Sequence, residues 1–282
     1  MATEELLQSE RRERPRMAIV AGLAAVFTLL GSLVGRVASG APPDNLPAAM
    51  LFYHEHQATQ YLSAACSVIG ALLIAVVLDF LYRATRARNP EISRGVRALP
   101  WVGGICVAVF TVVYQISLGV NVEHFATQGS QTYEEARKAI EAGAPPALAL
   151  VGQLALALAI VMISVNAMRV GLLTRFLGYL GVISGALFVL ALVPIPIVQV
   201  YWLAALAMLF AGRSVTGAVP PAWQSGEAMP WPSAAEMREQ RVRDAEARRG
   251  SGGFAELEGG GTEDDAAPTE TQGQRRKRKK RR

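Results

Sequence analysis

The chain is poor in the residues from which most reactive sites are built: 282 residues hold two cysteines and three histidines. Cys66 and Cys106 both fall in apolar runs, where a thiol behaves as a small hydrophobe. They imply neither a disulfide framework nor a redox compartment. No phosphate-cradling glycine loop, Gly-x-Ser-x-Gly elbow or His-Glu-x-x-His pair occurs, which removes the commonest sequence warrants for an enzyme. No convincing fixed-period repeat appears either, and the two three-span halves do not match beyond general hydrophobicity.

What the chain has is apolar length. Hydrophobic residues make up 51%, and they cluster into runs near 17–36, 60–82, 98–119, 147–168, 175–193 and 196–212. A helix needs roughly 20 residues to cross the hydrocarbon. The fold class expected is therefore all-α, a polytopic transmembrane bundle of six spans over 17–212. A short N-terminal segment, 1–16, precedes it, and a tail, 213–282, follows. The last two runs are separated only by Pro194-Ile195-Pro196, which blocks helix continuation and favours a tight turn. The run after Arg16 is too long for a cleaved signal despite the small residues Ala38-Ser39-Gly40, and reads as a retained anchor.

Charge sets the expected orientation. Arginines 11, 12, 14 and 16, then 83, 86, 88, 94 and 97, then 169, 175 and 213 fall on alternate connections. The opposite connections hold Arg36, Arg137 and Lys138. By the positive-inside rule this places both termini in the cytoplasm and the protein in the cell membrane as a multi-pass chain. Trp101 and Tyr82 at inner boundaries, and Tyr61, Tyr201 and Trp202 at outer ones, suit an aromatic belt.

The connections carry their own signals. Asp44 or Asn45 can cap a short helix with Pro47 in its first turn. Residues 130–141 favour a polar helix that Gly143, Pro145 and Pro146 stop. In the tail, 233–249 has capping-box spacing at Ser233 and Glu236 and reads as an isolated charged helix. Residues 250–274 have too little apolar surface to fold. The terminal octet Arg275, Arg276, Lys277, Arg278, Lys279, Lys280, Arg281 and Arg282 contributes +8, which leaves −3 for the rest of a chain of net charge +5. It suits anionic lipid headgroups and is also a place for a cytoplasmic protein partner. Without a nucleic-acid-binding fold or interleaved aromatics, nucleic acid is not the expected partner.

All histidines fall on the predicted outer side, His54 and His56 before the second span and His124 after the third, with Glu55 and Glu123 beside them. Imidazole and carboxylate suit a divalent metal, but the spacing matches no ligand motif and no cofactor is expected. His56, Gln60, Ser63 and Ser67 recur at helical spacing on one face. Gln115, Gln153 and Gln199 fall in the same outer half. Since polar side chains in lipid face protein or water, the expectation is an outward-facing polar cavity lined by His56, Gln60, Gln115, Glu123, His124 and Gln153. Asp79, near the inner end of the second span and four residues before Arg83, reads as a paired or snorkelling carboxylate, with proton coupling the alternative. Gly181 and Gly185 make a small-xxx-small pair that admits a neighbouring helix.

At Arg175-x-Leu177-Gly178-x-Leu180-Gly181, followed by an apolar hairpin and a basic inner end, the chain resembles uncharacterised bacterial six-helix membrane proteins. The resemblance implies the architecture of residues 17–213 and brings no site residues. The function expected is that of a non-enzymatic, envelope-associated or interaction protein. A small-solute transporter is the alternative, and a metal-dependent membrane enzyme the third.

Overall fold

The computed structural model describes residues 2–141, 145–190, 196–213 and 219–232, and beyond them 236, 238–239, 241–244 and 246. Every regular element among them is helical. They are α1 (Ala2–Ser39), α2 (Leu46–Glu55), α3 (Gln57–Arg88), α4 (Ala98–Thr127), α5 (Tyr133–Glu141), α6 (Pro146–Arg169), α7 (Arg175–Leu190), α8 (Ile197–Phe210) and α9 (Ala222–Ser225), with a 3-10 turn at Arg94–Arg97 before α4.

Four segments, Leu7–Gly35, Gln57–Arg88, Arg94–Thr127 and Pro146–Arg169, are long and apolar enough to cross a membrane. The apolar helices α7 and α8 are shorter, 16 and 14 residues. The long helices outrun their apolar stretches because polar residues with good helix propensity follow without a breaker, as at Arg83–Arg88. The first arginines are likewise part of α1, which runs unbroken through Pro15.

The six apolar helices close a ring in chain order: α1 packs on α3, α3 on α4, α4 on α6, α6 on α7, α7 on α8, and α8 back on α1. Successive helices of the ring alternate in direction, with α2 and α5 in the two longest connections, so the bundle has two ends. One, the base, gathers the first turns of α1, the end of α3, the start of α4, the end of α6, the start of α7 and the end of α8. The other carries α2 and α5, which pack on the outer part of α4 around Met50, Val122, Phe125 and Ala136. Asn45 occupies the N-cap of α2 with a proline in its first turn. Asn121 Nδ2 donates to Ala139 O at 2.7 Å and ties α5 down.

Close helix approaches depend on glycine. A Cβ at Gly103 would lie 2.5 Å from Leu156 N, and one at Gly152 would lie 2.9 Å from Val107 N, so α4 and α6 meet backbone to backbone. Gly181 sits against Ser164 and Gly185 against Val161, which seats the small-residue face of α7 on α6 within the same chain.

The main core lies toward the base. Its floor is formed by a segment that composition alone sets outside the bundle. Residues 219–231 fold back under the helices, with Trp223 fully enclosed between Phe80 and Phe210. Trp223 Nε1 donates to Leu172 O and Trp231 Nε1 to Leu173 O, both at 2.8 Å. Gly171, at φ +77°, leaves room for the Met229 backbone, whose N–H donates to Val170 O at 3.1 Å.

Two aromatic positions differ from the belt expected. Tyr82 and Trp202 are buried, Tyr82 Oη donating to Ser93 O and Trp202 Nε1 to Leu177 O. Each polar tip finds a backbone carbonyl, so packing outweighs the headgroup preference. Trp101, Tyr61 and Tyr201 stay exposed.

The chain divides into two compact units, Met1–Trp231 and Pro232–Arg282. In the second, the described residues of 236–246 are helical, and Arg243 lies 3.9 Å from Glu239 one turn away. The stretch 250–274 and the basic octet 275–282 lie outside the described residues.

Candidate functional site

Along the seam between α1 and α3 the facing residues are small and polar. Ser63 Oγ donates to Gly31 O at 2.6 Å. A Cβ at Gly31 would meet the Ser67 backbone nitrogen at 2.9 Å, and one at Gly70 would meet Thr28 N at 3.1 Å. Side chains this small cannot fill the space where other helices diverge, and two cavities result.

The outer cavity, about 630 Å³, is lined by Gly31, Ser32, Gly35, Gly40, Ala41, Pro42, Phe52, Tyr53, Gln60 and Ser63. The inner one, about 310 Å³, lies between α1, α3, α4, α6, α7 and α8. Its walls are apolar at Ala71, Ile74, Val107, Leu156, Leu187, Phe188, Pro196, Ile197 and Val198. Thr28, Ser32, Ser67, Ser184 and Gln199 supply its polar groups. Gly31 and Ser32 line both cavities, so one turn of α1 separates them.

Among the described residues no ionisable side chain lines the inner chamber. Its polar groups are incompletely paired. Ser32 Oγ donates to Thr28 O at 3.0 Å and Ser67 Oγ to Ser63 O at 3.0 Å. Thr28 Oγ1, Ser184 Oγ and Gln199 Nε2 are buried without a hydrogen-bond partner among the described residues. Ser184 and Gln199 are only 1% and 4% exposed. Leaving such a group unpaired in a low-dielectric interior costs about 1–3 kcal/mol.

The residues expected to line one polar cavity do not converge. Gln60 lines the outer cavity. His56 turns its Nδ1 to Phe52 O at 2.9 Å and stacks its ring 4.5 Å from that of Phe52. Gln115 is half-buried, while Glu123, His124 and Gln153 are exposed. None of these five lines either cavity. The shared face read from His56, Gln60, Ser63 and Ser67 is present but divided: Gln60 and Ser63 serve the outer cavity and Ser67 the inner one.

His54 Nδ1 lies 3.2 Å from Glu123 Oε2 and links α2 to α4. Among the described residues no three His, Cys, Asp or Glu side chains gather as a metal site would need. At the same end Arg137 lies 2.8 Å from Glu141; that hydrogen-bonded carboxylate raises the guanidinium above its ordinary value. Both groups are exposed, so the pair decorates the rim.

At the base, Asp79 is 2.9 Å from Arg97 Nε and 3.1 Å from Arg83 Nε, and Arg83 also reaches Glu13 at 3.2 Å. Beside this network Arg88 pairs with both oxygens of Glu10 and donates to Ala222 O. The Arg14 and Arg88 guanidinium groups lie 4.8 and 5.5 Å from the Trp223 ring centre. These charges close one end of the bundle and do not enter the chamber.

Comparison with family models, with curated proteins and with solved structures returned no match.

Thr28 and Ser184 escaped the sequence reading. A lone hydroxyl in an apolar run is ordinary, and only the packing of α1 on α8 and of α8 on α7 brings Thr28 and Ser184 to one cavity.

Proposed function

We propose that the chain is a six-span protein of the cell membrane, both termini cytoplasmic, that holds a small solute in the chamber between its helices. The cavity enclosed by six helices, with Thr28, Ser32, Ser67, Ser184 and Gln199 set in an otherwise apolar wall, carries the reading, because concave apolar space with a few polar groups is how small-molecule sites are built. That cavity favours the transporter class over envelope association. The outer cavity beside α2 supplies a vestibule.

The topology rests on charge. The arginine-rich base is the cytoplasmic end and the histidine-bearing end the outer one. At about 1.5 Å per residue, α7 and α8 reach only about 24 and 21 Å. They cross as a hairpin in which local bilayer thinning makes up the difference. The basic octet adds affinity for anionic headgroups at about 1 kcal/mol per residue near the surface.

Accessibility tests both parts. In a Cys66→Ala, Cys106→Ala background, a membrane-impermeant maleimide applied outside intact cells should label cysteine at Thr127 and leave cysteine at Glu227 unmodified. The opposite pattern inverts the topology. Cysteine at Ser63 should react with a small impermeant methanethiosulfonate from the same side. An inert Ser63 position would remove the vestibule and, with it, the route from water.

A further inference from the structure

The chamber's chemistry also selects its occupant, and this step rests on the solute-binding reading above. We propose that the ligand is an uncharged molecule with an apolar body and one hydrogen-bonding head that both accepts and donates, such as a carboxamide or a hydroxyl.

Three observations lead there. First, among the described residues no Asp, Glu, Lys, Arg or His lines the chamber. A carboxylate or ammonium would enter without a counter-ion and lose its hydration, at a cost far above what a few hydroxyls return. Second, the polar groups are complementary in role. Gln199 lines the chamber, and its buried amide nitrogen has no hydrogen-bond partner among the described residues, so a turn of the side chain offers a donor to an acceptor on the ligand. The oxygens of Ser32 and Ser67 already donate their protons to backbone carbonyls, so they offer lone pairs and call for a donor. Thr28 and Ser184 hydroxyls rotate to serve either role. Third, most of the wall is aliphatic or aromatic, and Ile197 belongs both to that wall and to the outside of the bundle, where it is 60% exposed. The chamber therefore reaches the apolar perimeter beside the start of α8. An amphiphile dissolved in the bilayer and a solute arriving from water share the required head and body. At about 310 Å³ the space admits a small organic molecule and excludes a diacyl lipid.

The test is calorimetric titration of the full chain in neutral-lipid nanodiscs against matched probes: cyclohexanecarboxamide, cyclohexanecarboxylate and cyclohexylammonium. Monooctanoylglycerol serves as the membrane-dissolved neutral probe. The carboxamide or the monoacylglycerol should bind at least tenfold more tightly than either ion. Binding of the carboxamide alone assigns a water-borne ligand, and binding of the monoacylglycerol alone assigns a membrane-borne one. Gln199→Met and Ser184→Ala should each weaken the bound neutral probe about tenfold while leaving the protein folded by thermal unfolding. Tighter binding of an ion overturns the neutral-ligand inference but keeps a solute chamber. Unchanged affinity in both variants places the probe elsewhere and overturns the inference. No binding by any probe removes the chamber as a ligand site.

Discussion

Arg88 donates from Nη1 and Nη2 to the two carboxylate oxygens of Glu10, at 2.6 and 2.8 Å, with the two side chains 0% and 7% exposed. The pair locks α1 to α3 at the base. Removing one member leaves the other buried and uncompensated, which costs about 3–5 kcal/mol. Glu10→Gln and Arg88→Met should each lower the thermal unfolding midpoint strongly. The double replacement Glu10→Leu, Arg88→Met should recover most of that loss. A double variant as unstable as the sum of the singles would show that the two residues act independently.

Trp223 is the keystone of the strap under the bundle. Its ring fills the space between Phe80 and Phe210 beneath two guanidinium groups. Trp223→Ala should cost about 3–5 kcal/mol and open residues 219–231 to limited proteolysis from the base side. Trp223→Phe, which keeps the ring but loses the bond to Leu172 O, should cost less. Equal protease resistance in Trp223→Ala and the parent would mean that the strap holds without it.

The helices were legible because an apolar run of some twenty residues has few alternatives to a helix, and hydrophobic length is local information. The helix starting after Asn45 and the one over 133–141 were legible for the same reason, through proline, glycine and capping residues. The chamber was not. Gln60, Ser67 and Gln199 stand out singly as polar residues in apolar surroundings, yet which of them meet depends on crossing angles that no single helix encodes. Gln153 illustrates the loss: by depth it belongs with Gln60, but its face of α6 points away from the seam. The strap was hidden for another reason. Its sequence, rich in proline, glycine and serine, has the composition of a linker, and only two tryptophans at 223 and 231 mark it as something that must be buried.

Contact between α4 and α6 should tolerate no added carbon. Gly103→Ala and Gly152→Val each force two backbones apart and should lower the unfolding midpoint by the equivalent of about 1–3 kcal/mol. Gly212, at φ +78° with nothing near its Cβ position, offers the comparison. Gly212→Ala should cost about 1 kcal/mol from backbone conformation alone. Similar losses at all three sites would mean that close approach is not what selects glycine at 103 and 152.

Gln199→Met should raise the unfolding midpoint of the empty protein. The substitution keeps the side chain's length and removes a buried donor that has no partner among the described residues, a group that costs about 1–3 kcal/mol when unsatisfied. The parent should regain that difference when a neutral probe is bound, so stability and binding should move in opposite directions. A destabilised Gln199→Met would show that the amide supports the fold.

Arg88 also donates to Ala222 O, from Nε at 3.2 Å and from Nη2 at 2.9 Å, across 134 residues of sequence. During synthesis that acceptor emerges only after α8 has been made. Until then Arg88 holds Glu10 but keeps two donor directions open at the base, and Phe80 and Phe210 lack the ring that closes over them. The strap thus works as a completion mark. A chain that stops short of Ala222 leaves a charged, aromatic gap at the base of the bundle, which distinguishes an unfinished protein from a finished one by its surface alone.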